Sequence, residues 1–177
     1  KGDPDNGIDA TMAQALFNLG FVKVRRGEND AATALLDEAI RAYEQLDGPD
    51  CNAVLKCRAT LARVERTYDP AKAERTLVAV IAAQRRANPV GDFDLTVSLQ
   101  DLGDLLERRG DVAGAANLYR EAMPILDRIL PPEHVSVIGC RQSYATFCWR
   151  LGRYEVSIPM LEDVFQRMVT AYGRDDP

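Results

Sequence analysis

Asp101, Asp104 and Glu107 recur at three-residue steps, a spacing that places them on one helical face. Carboxylates so arranged can hold a metal or divide the acid and base roles of a hydrolysis. The same stripe also describes an ordinary solvated helix face, and the rest of a catalytic site is missing. His134 is the single histidine, so any Ser–His or Cys–His pair would depend on it. It sits in a joint beside Pro131 and Pro132. No Gly-x-x-x-x-Gly-Lys phosphate cradle is present. The doublets Arg25-Arg26, Arg85-Arg86 and Arg108-Arg109 fall near expected helix C-termini, where positive charge complements the helix dipole. That accounts for them without nucleic acid.

Four cysteines remain: Cys51, Cys57, Cys140 and Cys148. On one helix the last two would stand about 12 Å apart at the usual rise per residue, too far for a disulfide. The first two straddle a helix start and are hardly better placed. We read all four as reduced thiols acting as small apolar residues, which favours a reducing compartment. Zinc would require paired short spacings, and His134 has no Cys or His near it in sequence. We therefore expect no catalytic residue, no cofactor and no metal.

The elements that position these residues follow from a repeat. The pairs Leu19-Gly20, Leu61-Ala62, Leu102-Gly103 and Tyr144-Ala145 end on small residues spaced 42, 41 and 42 positions apart. Each pair is followed 12 residues on, or 11 in the shorter second repeat, by a small or apolar set: Ala32/Leu36/Ala39, Ala73/Leu77/Val80, Ala115/Tyr119/Ala122 and Ser157/Leu161/Val164. A lone helix pair cannot bury its apolar face, so repetition at this length predicts stacked helix hairpins. Periodicity puts first helices near 10–26, 50–67, 92–109 and 134–151, and second helices near 29–46, 70–87, 112–130 and 154–172.

Short turns join the members of each pair, with glycine at Gly27, Gly110 and Gly152. The second repeat replaces that glycine with Asp69-Pro70, an N-cap followed by proline at the first helical position. Longer joints rich in Pro, Gly and Asp separate the repeats. Segments of the same character at 1–9 and 173–177 suggest that further repeats or another domain flank this chain. The expected organisation is a leading joint at 1–9 and repeats at 10–49, 50–91, 92–133 and 134–177. Pro124 and Pro159 should bend or loosen the sixth and eighth helices.

This pattern resembles tetratricopeptide repeats, in particular the 42-residue variety of kinesin light chains and many bacterial signalling proteins. The clearest match is the run 99–110 followed by 115–122, with the family's inter-repeat joint resembled at 125–135. The first repeat matches at Leu16, Asn18, Leu19, Gly20, Gly27, Ala32, Leu36 and Ala39. Lys23 and Glu65 depart from it, since the family usually has an aromatic or apolar residue there. The resemblance implies an all-α solenoid of four hairpins, a right-handed superhelical array whose first helices line a concave face.

In such arrays ligands, usually peptides or partner helices, lie on that face. Counted from the small-residue landmarks, it would present Gln14, Phe17, Asn18 and Phe21, then Lys56, Arg63 and Arg66, then Gln100, Asp104 and Glu107, and last Gln142, Thr146 and Trp149. Asn18, Gln100 and Gln142 could bond a peptide backbone, Arg63 and Arg66 an acidic side chain, and Trp149 an apolar anchor. Each position also has a plainer reading. Lys56, Arg63 and Arg66 fit a solvated face, Trp149 could pack between repeats, and Phe17 with Phe21 fit core or an end face.

The net charge of −5 argues against a general nucleic-acid binder, which needs a basic surface. No apolar run is long enough to span a membrane. The expected function is a protein- or peptide-binding module within a larger bacterial signalling protein, cytoplasmic or, alternatively, the periplasmic part of a membrane-anchored kinase. The alternative is self-association, as a homodimer or end to end, since arrays have uncapped apolar ends.

Overall fold

The computed structural model describes residues 9–173. The expected terminal joints therefore lie outside the described residues, except for Asp9 and Gly173. Eight helices follow one another: α1 (Ala10–Arg26), α2 (Asn29–Asp47), α3 (Asn52–Glu65), α4 (Pro70–Ala87), α5 (Phe93–Arg108), α6 (Val112–Ile129), α7 (Val135–Arg150) and α8 (Tyr154–Tyr172). There is no strand among the described residues. The chain divides into two compact units after Gln84. In the first, α1 packs on α2, α2 on α3, and α1 also touches α3. In the second, α5 packs on α6, α6 on α7, and α7 on α8.

Local chemistry sets the helix starts. The carboxylates of Asp9, Asp69, Asp92 and Asp111 accept the amides of Met12, Lys72, Leu95 and Gly114 at 2.7, 2.9, 3.0 and 2.8 Å, the donors a helix N-terminus leaves unpaired. Asp69 with Pro70 thus starts α4 as expected. Gly27, Gly110 and Gly152 take φ of 74°, 91° and 72°, the left-handed turn that a side chain would strain. Helices α6 and α8 run through Pro124 and Pro159. Both prolines lie on exposed faces, where water can take up the orphaned carbonyl.

The repeat landmarks mark the helix crossings. Ala32, Ala62, Ala73, Ala115, Ala122 and Ala145 are buried. A Cβ added at Gly20 would stand 3.0 Å from Leu36 Cγ, and one at Gly103 2.7 Å from Tyr119 Cε2. Ser157, the polar exception, is buried and donates its hydroxyl to Ala145 O at 2.9 Å. It thereby satisfies its own oxygen and keeps the crossing small. Leu161 departs from the pattern. Its counterparts Leu36, Leu77 and Tyr119 are buried, whereas Leu161 is 39% exposed.

Candidate functional site

In the first unit several of the first-helix residues touch one another. Gln14 and Asn18 share an exposed face of α1, with Gln14 Nε2 donating to Asn18 Oδ1 at 2.9 Å. Tyr43 Oη, from α2, donates to Gln14 Oε1 at 3.2 Å, and burial pushes the Tyr43 phenol above its ordinary value. The chain of three polar groups fixes the amide of Gln14, leaving Asn18 at its outer end. Phe17 and Phe21 are half-buried, with ring centroids 6.3 Å apart. Lys56 of α3 places its ammonium 5.8 Å from the Phe17 centroid, within cation–π range. Arg63 and Arg66 are half-buried further along, Arg66 capping the end of α3.

In the second unit the corresponding residues divide. Asp104 accepts the Tyr119 hydroxyl at 2.5 Å, linking α5 to α6. Burial, reinforced by Asp104, drives the Tyr119 phenol far above its ordinary value. Glu107 pairs with Arg150 of α7. The acidic stripe therefore does not converge as an acid–base pair, because at least two of its carboxylates are taken up by different helices. Gln100 Nε2 donates to Thr96 O at 3.2 Å, and Thr146 Oγ1 to Gln142 O at 2.9 Å, both bonds within their own helices. Gln142 is exposed, and Trp149 stands 57% exposed on α7. Tyr144 and Phe147 of the same helix are buried, so α7 places two aromatics inward and one outward.

Other reactive side chains have structural roles. His134 caps α7, its Nδ1 accepting the Ser136 amide at 3.1 Å. All four thiols are free, with Cys57, Cys140 and Cys148 buried and Cys51 half-buried. The Arg doublets occupy helix C-terminal turns as expected. Arg85 also makes a two-pronged bond to Glu121, with its closest contact at 2.7 Å. Among the described residues no group of three His, Cys, Asp or Glu side chains is placed to hold a metal. None of the described helices is long and apolar enough to cross a membrane.

Tyr43, Tyr119 and Arg150 were not singled out in the sequence as neighbours of these residues. A partial signal existed for Tyr119, since it replaces leucine at a landmark position and carries a hydroxyl that needs a partner when buried.

Two family models described as "Tetratricopeptide repeat" match residues 11–86 and 95–136. No curated protein matches the sequence. Among solved structures the chain is similar to a protein of Podosopora anserina described as a kinesin light chain with nearly identical TPR-like repeats. That match has 18% identity, covers 94% of this chain and 80% of the other, and has a TM-score of 0.67. It is also similar to BtubC (BKLC) from P. vanneervenii, with 15% identity, 100% and 69% coverage, and a TM-score of 0.79. A third neighbour is a Rap protein complexed with Competence and Sporulation Factor: 14% identity, 89% and 43% coverage, TM-score 0.75. The shared feature at these identities is the fold, an all-α solenoid of helix hairpins.

Proposed function

We propose, from the premise that this chain belongs to the tetratricopeptide-repeat family, that it is a protein-interaction module which holds a peptide or partner segment against its first helices. The observation that carries this reading is Trp149. An indole 57% exposed on α7 forgoes much of the burial that Trp usually finds, and exposed aromatics of this kind serve as anchors at interfaces. The exposed amide of Gln142 lies on the same helix. In the first unit, Asn18 offers an amide beside Phe17 and Lys56, and Arg63 and Arg66 supply positive charge for an acidic side chain. The repeat fold is generally non-catalytic, and a neighbour of that fold is described as complexed with Competence and Sporulation Factor. We place the module in the cytoplasm, as the sensing or regulatory part of a bacterial signalling protein. The four free thiols are consistent with a reducing compartment.

Trp149 is the only tryptophan, so its emission reports directly on occupancy. A displayed random-peptide library selected on the 177-residue chain should yield binders that shift this emission. Trp149→Ala should weaken a labelled binder held by the second unit, and the double variant Arg63→Glu/Arg66→Glu one held by the first, in each case about tenfold or more, the loss typical of an interface anchor. Binders of equal affinity for both variants and the parent chain would refute the reading, as would a library that yields none.

A further inference from the structure

Tyr43 carries a hydroxyl that the repeat does not need. The same register position holds Gln84, Leu126 and Met168 in the other three repeats. Tyr43 is 7% exposed, its ring packed in the core cluster with Ala39, Ala42, Val54 and Cys57. A leucine would fill that seat with no polar group to satisfy. The hydroxyl instead reaches across to α1 and ends on Gln14 Oε1 at 3.2 Å. Gln14 is also particular to the first repeat, where its counterparts are Lys56, Val97 and Gly139.

The chemistry of these groups gives the relay a direction. Among the described residues no other group bonds the Tyr43 hydroxyl. A buried phenol with a single partner donates to it, because the alternative leaves its proton without an acceptor. The Gln14 carbonyl is therefore turned toward α2, and its NH2 group donates along α1 to Asn18 Oδ1 at 2.9 Å. That bond occupies the Asn18 oxygen and leaves its NH2 group as the part offered to a ligand. Without the tyrosine hydroxyl the two amides can each turn over and reverse the relay, since the two ends of an amide have nearly the same shape.

The charge around the relay favours the same kind of ligand group. Helix α1 contains no carboxylate side chain. Helix α3 contains only Glu65, which is buried and paired with Lys72. The two helices thus present donors and cations, with Lys56 beside Phe17, and an oxygen acceptor is what complements them.

We propose that Tyr43 is the positioning residue of the first-unit site: acting through Gln14, it holds the Asn18 amide with its N–H donors outward, so that Asn18 takes an oxygen acceptor of the bound segment. That acceptor is a main-chain carbonyl or a carboxylate. The proposal rests on the peptide reading above. The probe is a labelled peptide selected on the 177-residue chain and weakened by Arg63→Glu/Arg66→Glu, hence held by the first unit. Tyr43→Phe keeps the ring and removes the bond. It should weaken the peptide about two- to tenfold, the reciprocal of the fraction of molecules that keep the donors outward. Gln14→Glu, at an exposed position, accepts from both neighbours at neutral pH and turns the Asn18 oxygen outward. It should weaken the peptide about tenfold or more, because an acceptor then meets an acceptor. In the ligand-free chain, nitrogen-edited NMR should show the side-chain amide signals of both Gln14 and Asn18 displaced by Tyr43→Phe. Lost packing alone would lower the urea midpoint and leave the Asn18 signal in place. Amidating the acids of the peptide separates the two acceptors: retained affinity assigns the main-chain carbonyl and lost affinity the carboxylate, and both agree with the proposal. A first-unit peptide indifferent to both variants, or an unmoved Asn18 signal, would overturn the proposal and leave the peptide reading standing. If no selected peptide is held by the first unit, the reading of that site and this proposal fall together.

Discussion

Glu65, 1% exposed in α3, receives the ammonium of Lys72 from α4 at 2.6 Å across the hairpin turn. Thr76 Oγ1 lies 3.5 Å from the other carboxylate oxygen. Lys23, at the matching position of the first repeat, pairs with Glu28 across its own turn, with the signs reversed. A charge at a position the family usually fills with an apolar residue is in both repeats met by the opposite charge beyond the turn. Because the carboxylate of Glu65 is buried, it depends on Lys72, whose ammonium is half in water.

Removing the exposed partner should therefore be worse than removing both. Lys72→Met strands the buried carboxylate and is expected to destabilise by about 1–3 kcal/mol, the cost of an unsatisfied buried polar group. Glu65→Leu/Lys72→Met replaces the pair with apolar contact and should recover most of that loss. Urea denaturation of the two variants compares them directly. A double variant less stable than the single one would show that the charge itself is needed.

Gly103 and Gly139 should respond oppositely to alanine. At Gly103 the new methyl would stand 2.7 Å from the Tyr119 ring, and displacing that ring would disturb its bond to Asp104. The expected loss is about 1–3 kcal/mol, as for other overpacked cores. At Gly139, within α7, a new Cβ meets nothing within 4 Å. Relief from glycine's backbone entropy should there stabilise by about 0.5–1 kcal/mol. Thermal melts of the two variants should shift in opposite directions.

How much of this was legible in the sequence depends on the range of the signal. The hairpins were, because small residues recur where helices cross and Gly20, Ala62, Gly103 and Ala145 each do one local job. The caps were too, since Asp69-Pro70 acts within one turn. Glu65 was legible only as a departure: its remedy, Lys72, depends on side-chain reach across a turn. Asp104 was read as part of a binding stripe from its helical phase, but Tyr119 of α6 is long enough to engage it. Leu161 fitted the landmark pattern of a core residue. Periodicity identifies a face that wants cover and does not say whether another helix of the same chain provides it.

Burial pushes the thiols of Cys57 and Cys140 up to about 12, from an ordinary 9.0. At mildly alkaline pH a disulfide reagent should label Cys51 first, and Cys57 and Cys140 only after denaturant is added. The linkage has a definite sign. Below the ordinary value both folded and unfolded chains keep the protons, so stability is unaffected. As pH rises from 9.0 toward 12, the unfolded chain can release protons that the folded chain retains, and stability falls. Cys57→Val should flatten part of that decline. Equal labelling of all four thiols in the native chain would contradict the burial.

Arg141 of α7 joins the helices on either side, reaching Asp127 of α6 at 2.7 Å and Asp163 of α8 at 3.7 Å. The hydrogen bond from Arg167 at 2.7 Å is the main cause holding Asp163 below its ordinary 3.8; partial burial opposes it, and the charges of Arg167 and Arg141 assist. For a carboxyl depressed by folding, the stabilisation is present above the ordinary value and is lost as pH falls through the folded one. The wild type should therefore exceed Asp163→Asn in melting temperature at neutral pH, with the gap closing only below about pH 4. The carboxylate is partly solvated, so the gap should be modest and should shrink as salt screens it. A gap that persists unchanged at about pH 2, well below both values, would show that Asp163 acts through packing and not through its charge.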